Sequence, residues 1–266
     1  MSTFLYGANV QANGIRQHYL RYGGKGPALI LIPGITSPAI TWGFVAERLG
    51  TRFDTYVLDV RGRGLSSTGP QLDYSADTCA EDIGAFADAL GLDSYDLVGH
   101  SMGARFAVHS AAKHPQGVNR VVLIDPPVSG PGRREYPSKL PWYVDSIRQS
   151  RVGMDADAMR AFCATWTVEQ LQLRAEWLHT CYEPAIVRAF NDFHTVDFHQ
   201  HLPKLKAPAL LMVAGRGGVI LDEDIAEIQD LQPAIQVARV PNAGHMIPWD
   251  DLDGFFAALD GFLTQQ

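Results

Sequence analysis

Cysteine is scarce. The chain has three in 266 residues, Cys79, Cys163 and Cys181, an odd number with no C-x-x-C spacing. That argues against a disulfide framework or a zinc ribbon and leaves reduced thiols as the expectation. Cations are also in deficit, with 22 Lys and Arg against 29 Asp and Glu and a net charge of −7. Nucleic acids and anionic membranes recruit clustered cations, so neither is an expected partner. A small anionic substrate stays open, because a pocket can differ in sign from the surface around it. No apolar run approaches the ~18 residues that span a bilayer. The opening stretch Met1–Gly7 lacks the basic start and apolar run of a signal peptide, so the expected location is cytoplasmic. Internal repeats and low-complexity tracts are absent.

What is present is rhythm. Asn13-Gly14, a strong tight-turn dipeptide, sits between Leu5–Val10 and Ile15–Tyr22 and predicts a hairpin. Brief apolar runs follow at Ala28–Ile32, Asp54–Asp59, Tyr95–Gly99, Arg120–Ile124, Ala209–Ala214 and Ile235–Val240, each suited to a strand covered on both faces. Between them lie helical patterns at about residues 40–49, 76–90, 102–114, 223–231 and 250–264. This alternation predicts an α/β fold with a mainly parallel sheet flanked by helices. The rhythm breaks over 128–205, which opens with the turn-rich Val128-Ser129-Gly130-Pro131-Gly132 and holds amphipathic stretches without a convincing strand. The expected organisation is a core of 1–127 and 206–266, with 128–205 as a helical lid over the sheet.

The chemistry concentrates in Gly99-His100-Ser101-Met102-Gly103, a G-x-S-x-G element between the apolar Tyr95–Val98 and the helical Ala104–His114. Strand, sharp turn and helix are the context in which this motif exposes a nucleophilic serine. Its glycines fit because crowded backbone leaves no room for a β-carbon. A serine hydroxyl needs a base, and His245 in Asn242-Ala243-Gly244-His245 follows the last strand and precedes the final helix. His100 would point elsewhere from the same turn and is read as a shaping residue. Oxyanion donors are expected from the backbone amides of Met102 and of Ile35, the latter in Ile32-Pro33-Gly34-Ile35-Thr36-Ser37.

Taken in order, these elements resemble the α/β-hydrolase superfamily over nearly the whole chain. Asp59-Val60-Arg61-Gly62-Arg63-Gly64-Leu65-Ser66 is similar to that family's D-x-R-G-x-G-x-S loop, read here as structural. The resemblance implies a serine, a histidine and an orienting acid, with no cofactor or metal. The acid is where the chain departs from the pattern. In most relatives it follows the penultimate strand as G-x-x-D, but here the stretch reads Gly215-Arg216-Gly217-Gly218. Asp125, at the end of the preceding strand, is the preferred acid, since parallel strands present their functional ends on one edge. Asp222 and Asp224 remain alternatives through a rearranged loop.

His194, His199 and His201, with Asp192 and Asp197, match no familiar metal-ligand spacing, so the expected metal content is none. Trp142, Trp166 and Trp177 are either lid core or pocket lining, and Arg133 and Arg134 either solvated charges or carboxylate binders. The partner expected is a small-molecule substrate. The superfamily resemblance leaves three activities open: hydrolysis of a small anionic linear amide or ester, enol-lactone or carbon–carbon bond hydrolysis, and binding without turnover. The intact Ser101 and His245 argue against the last.

Overall fold

Asn13 and Gly14 both take positive φ, 45° and 73°, as a two-residue type I′ turn requires. They fold β1 (Phe4–Ala12) back on β2 (Ile15–Tyr22) as an antiparallel pair. A computed structural model describes residues 1–264. Six further strands complete the sheet: β3 (Ala28–Ile32), β4 (Asp54–Leu58), β5 (Tyr95–His100), β6 (Val118–Ile124), β7 (Ala209–Ala214) and β8 (Gln236–Val240). Their spatial order is β1-β2-β4-β3-β5-β6-β7-β8, and β2 meets β4 antiparallel while every later pairing is parallel. The central strands are covered on both faces, with Leu29–Ile32 and Val121–Val122-Leu123-Ile124 wholly buried.

Helices between and after the strands provide that cover: α1 (Gly43–Leu49), α2 (Ala76–Leu90), α3 (Met102–Lys113), α8 (Asp222–Leu231) and α10 (Leu252–Leu263). Ser75 caps α2 by accepting from Thr78 N, and Gly91 ends it at φ 65°. Two expected helices arrive in pieces. The one over 40–49 begins as a 3-10 turn, Ala39–Trp42, that runs into α1. The one over 250–264 is divided into α9 (Ile247–Asp250) and α10, because Asp251 leaves helical geometry and turns its carboxylate to Gly254 N as a cap.

Between β6 and β7 the chain adds no strand. It forms α4 (Leu140–Arg151), α5 (Ala156–Met159), α6 (Val168–Trp177) and α7 (Glu183–Thr195), with short 3-10 turns at Leu178–Thr180 and His199–Lys204. Arg105 of α3 fastens both ends of this excursion. Its Nη1 donates to the carbonyls of Pro127 and Ser129, and its Nη2 to those of Asp192 and Val196. Among the described residues no helix is long and apolar enough to cross a membrane.

Candidate active site

The turn after β5 holds Ser101 at φ 54° and ψ −117°, a conformation L-residues rarely adopt. The sequence permits it by removing side chains on either side. A β-carbon at Gly99 would collide with the Gly103 carbonyl, and one at Gly103 with that of Ile32. The Ser101 amide donates to Ile124 O, tying the turn to β6. Met102 then opens α3, so its amide is among the first-turn donors that a helix leaves unpaired.

Three side chains from three strand ends meet in one hydrogen-bonded line. Ser101 Oγ donates to His245 Nε2 at 3.0 Å, and His245 Nδ1 donates to Asp125 Oδ2 at 2.7 Å. That pairing fixes the tautomer, with the proton on Nδ1 and a lone pair facing the serine. Asp125 is wholly buried and itself sits at φ 44°. Its other oxygen accepts from Ala214 N at 3.1 Å, so both oxygens are engaged. The glycines after β7 close over this pair. A β-carbon at Gly217 would press on Ala214 and stand 3.5 Å from Asp125 Oδ2. Asp222 lies elsewhere, exposed and bonded to Arg239, while Asp224 pairs with Arg134 and caps its own helix at Leu221 N.

The surroundings hold His245 from two sides. His100 Nε2 donates to the His245 carbonyl at 3.0 Å, and Gly244 N donates to Asp250 at 2.8 Å. Burial, and then the nearby His245, push His100 down to about 3, so its ring stays neutral. Tyr136, from the segment after β6, brings its hydroxyl to 3.3 Å from His245 Nε2 and receives a bond from Tyr143 at the same distance. Burial pushes the Tyr136 phenol well above its ordinary range, which keeps it a donor. Neither tyrosine stands in a motif. Their approach depends on how the helical segment docks.

Ser101 and His245 open on a cavity of about 430 Å³, whose walls include Ile35, Trp142, Trp166 and Arg174. Arg63 braces the Ile35–Met102 side, with Nε donating to Ile35 O at 3.0 Å and an Nη against Met102 Sδ at 3.3 Å. Asp59 links the end of the Ile35 loop to its own loop by accepting from the amides of Ala39 and Leu65.

Arg133 and Arg134 correct the sequence reading. Neither lines the cavity. Arg133 pairs with Glu227 and lies 3.9 Å from Asp197, and Arg134 donates to Asp224 and Val219 O. These partners lie more than sixty residues away in sequence, out of reach of a local reading. The three histidines scatter: His194 meets Phe190 O, His201 stacks on His109 at 3.9 Å, and His199 is buried with neither ring nitrogen hydrogen-bonded, Asp197 lying 3.5 Å from Nδ1. Among the described residues no group of three or more His, Cys, Asp or Glu is placed to hold a metal.

Comparison with known proteins gives consistent results. A family model for the alpha/beta hydrolase fold matches residues 27–252. The chain is 78% identical to N-formylmaleamate deformylase of Pseudomonas putida, over 99% of this chain and 98% of that protein. The crystal structure of an N-formylmaleamic acid deformylase variant from a second Pseudomonas putida strain superposes with a TM-score of 0.93 at 54% identity, covering 96% of this chain and all of that one. The enol-lactonase of Burkholderia xenovorans shares the fold, with a TM-score of 0.76 at 20% identity over 97% of this chain and all of that one. Strand order, the G-x-S-x-G turn and the family match together establish that this chain belongs to the α/β-hydrolase fold family.

Proposed function

We propose that the protein hydrolyses a linear amide bond, converting N-formylmaleamate and water to maleamate and formate. The observation that carries this reading is the 78% identity, end to end, with a deformylase. The line from Ser101 through His245 to Asp125 supplies a matching chemistry. Ser101 Oγ attacks the formyl carbon as His245 Nε2 takes its proton, and Asp125 stabilises the resulting imidazolium. The backbone amides of Ile35 and Met102 receive the developing oxyanion, a contribution of about 3 kcal/mol per donor in measured cases.

Collapse of the tetrahedral species breaks the bond from the formyl carbon to nitrogen, and His245 returns its proton to the departing nitrogen. That nitrogen is also acylated by the maleamoyl carbonyl, so its charge is delocalised and it leaves more readily than an ordinary amine. Water, deprotonated by His245, then releases formate from the formyl-serine. Tyr136 places a neutral hydroxyl beside the nitrogen that moves these protons. The helical segment carrying Tyr136, Trp142, Trp166 and Arg174 acts as the lid of the cavity. Side chains and water carry every step, without a cofactor.

The test is formate release from N-formylmaleamate by purified protein, with an enol-lactone and a carbon–carbon bond substrate assayed alongside. Formate should appear at a rate indifferent to chelator. Ser101→Ala should keep the fold and lose turnover by roughly 10³-fold or more. Inertness toward N-formylmaleamate with turnover of either alternative would overturn the reading.

A further inference from the structure

Besides Arg61, which pairs with Asp82, the structure holds three arginines almost wholly out of water: Arg63, Arg105 and Arg174, at 1%, 6% and 3% exposure. Among the described residues none has a carboxylate within 4.0 Å. Withdrawing a cation from water without a counter-ion is unfavourable, so each asks for a compensating contact. Arg63 and Arg105 have theirs. Arg63 is ringed by the carbonyls of Ile35, Arg61 and Ala185 and the sulfur of Met102, and Arg105 by four carbonyls. Neither lines the cavity at Ser101.

Arg174 differs on both counts. It forms part of the cavity wall, where it donates to Thr36, at 3.0 Å to the carbonyl and 3.0 Å to the hydroxyl, and stands beside the Cys163 thiol. Its Nε is buried and makes no hydrogen bond. Trp142 and Trp166 bring their rings to 5.7 and 5.6 Å from the guanidinium, an arrangement that excludes water while tolerating the cation. The acid on the cavity wall, Asp250, turns its oxygens to Gly244 N and Thr165 Oγ1.

We propose that Arg174 is a carboxylate-binding residue: the free carboxylate of the substrate docks on it while the scissile carbonyl lies at Ser101. This rests on the deformylase reading for the identity of the substrate, but the subsite itself follows from the buried, incompletely bonded guanidinium in the wall. A planar guanidinium suits a carboxylate in two-point contact. Thr36 directly follows Ile35, so the residue that receives the anion also holds the loop expected to supply an oxyanion amide. Selection of the substrate and stabilisation of its transition state are thereby joined through one side chain.

The experiment compares kcat/KM for N-formylmaleamate with that for its methyl ester in the wild type, Arg174→Gln and Arg174→Lys. A ratio of acid to ester cancels general damage to the site. We expect Arg174→Gln to reduce the ratio by about 30-fold or more, chiefly through KM, and Arg174→Lys by about fivefold. The inhibition constant of maleamate should rise in parallel. A ratio in Arg174→Gln within about twofold of wild type, with formate still released, would overturn the subsite and leave the deformylase reading intact. If the glutamine variant does not fold, the lysine variant decides: a fall supports the subsite and an unchanged ratio removes it. If the wild type does not release formate at all, the deformylase reading fails separately. Hydrolysis of p-nitrophenyl acetate then serves as the readout. Inhibition by maleate and succinate in wild type, weakened in the Arg174 variants, supports the subsite, and indifference to both anions removes it.

Discussion

The strand ends and the helical excursion build the same cavity by opposite means. At the strand ends, backbone sets position: Ser101 and Asp125 each occupy a turn with positive φ, and glycines beside them clear the space. In the excursion, side chains are delivered by docking. Tyr136, Trp142 and Arg174 reach the cavity because the helices that follow β6 pack against the core, and buried arginines cross the seam in both directions. On the proposed function, that difference puts bond-breaking at the sheet edge and substrate selection in a separately attached layer. That division lets one fold serve many substrates.

The comparison is broken most severely at the sheet edge. Asp125→Asn should leave a folded protein whose histidine favours the wrong tautomer, with turnover down about 10⁴-fold, equivalent to roughly 5 kcal/mol. Asp222→Asn, at an exposed residue paired with Arg239, should stay within about twofold of wild type by the same assay. The reverse pattern would move the acid to the loop after β7.

Attachment of the helical layer comes next. Arg105→Met removes four hydrogen bonds at the two ends of the excursion, and we expect a loss of about 3 kcal/mol in urea unfolding. Limited proteolysis should cut first between residues 128 and 205. Unfolding and cleavage like wild type would show that the seam is held by something else.

The smallest effect is one of pH. Burial, followed by the neighbouring His109 and Lys204, pushes His201 down to about 4, so the folded protein resists its protonation. Its contribution to stability is complete above the unfolded value near 6.5 and declines as pH falls from there towards 4. The loss reaches about 2 kcal/mol at pH 5. The urea midpoint of His201→Leu should therefore fall less between pH 7 and pH 5 than that of wild type. Parallel falls would exclude His201 as the source.

Much of the sheet edge could be read from the sequence because local signals act there. Asn13-Gly14 dictates its own turn, and the glycines around Ser101 announce crowding that the structure then displays. Asp125 emerged from an absence, since Gly218 stands where the family resemblance implied an acid, and the structure brings Asp125 to 2.7 Å from His245. The excursion was legible only as helical. Arg133 and Arg134 could be read in isolation as solvated charges or as carboxylate binders, and Glu227 and Asp224, distant in sequence, claim them. Arg174 gave no local sign, being one basic residue of an amphipathic helix whose docking partner, Thr36, lies 138 positions earlier.

The two positive-φ residues carry a consequence for selection. Holding a non-glycine side chain in such a conformation costs on the order of 1–3 kcal/mol, and glycine at either position would relieve it. A screen that rewards thermal endurance alone would thus accumulate glycine at Ser101 and Asp125, and on the proposed mechanism each gain would erase the nucleophile or the acid. In this protein a hardier variant altered at either turn is to be suspected of having stopped working.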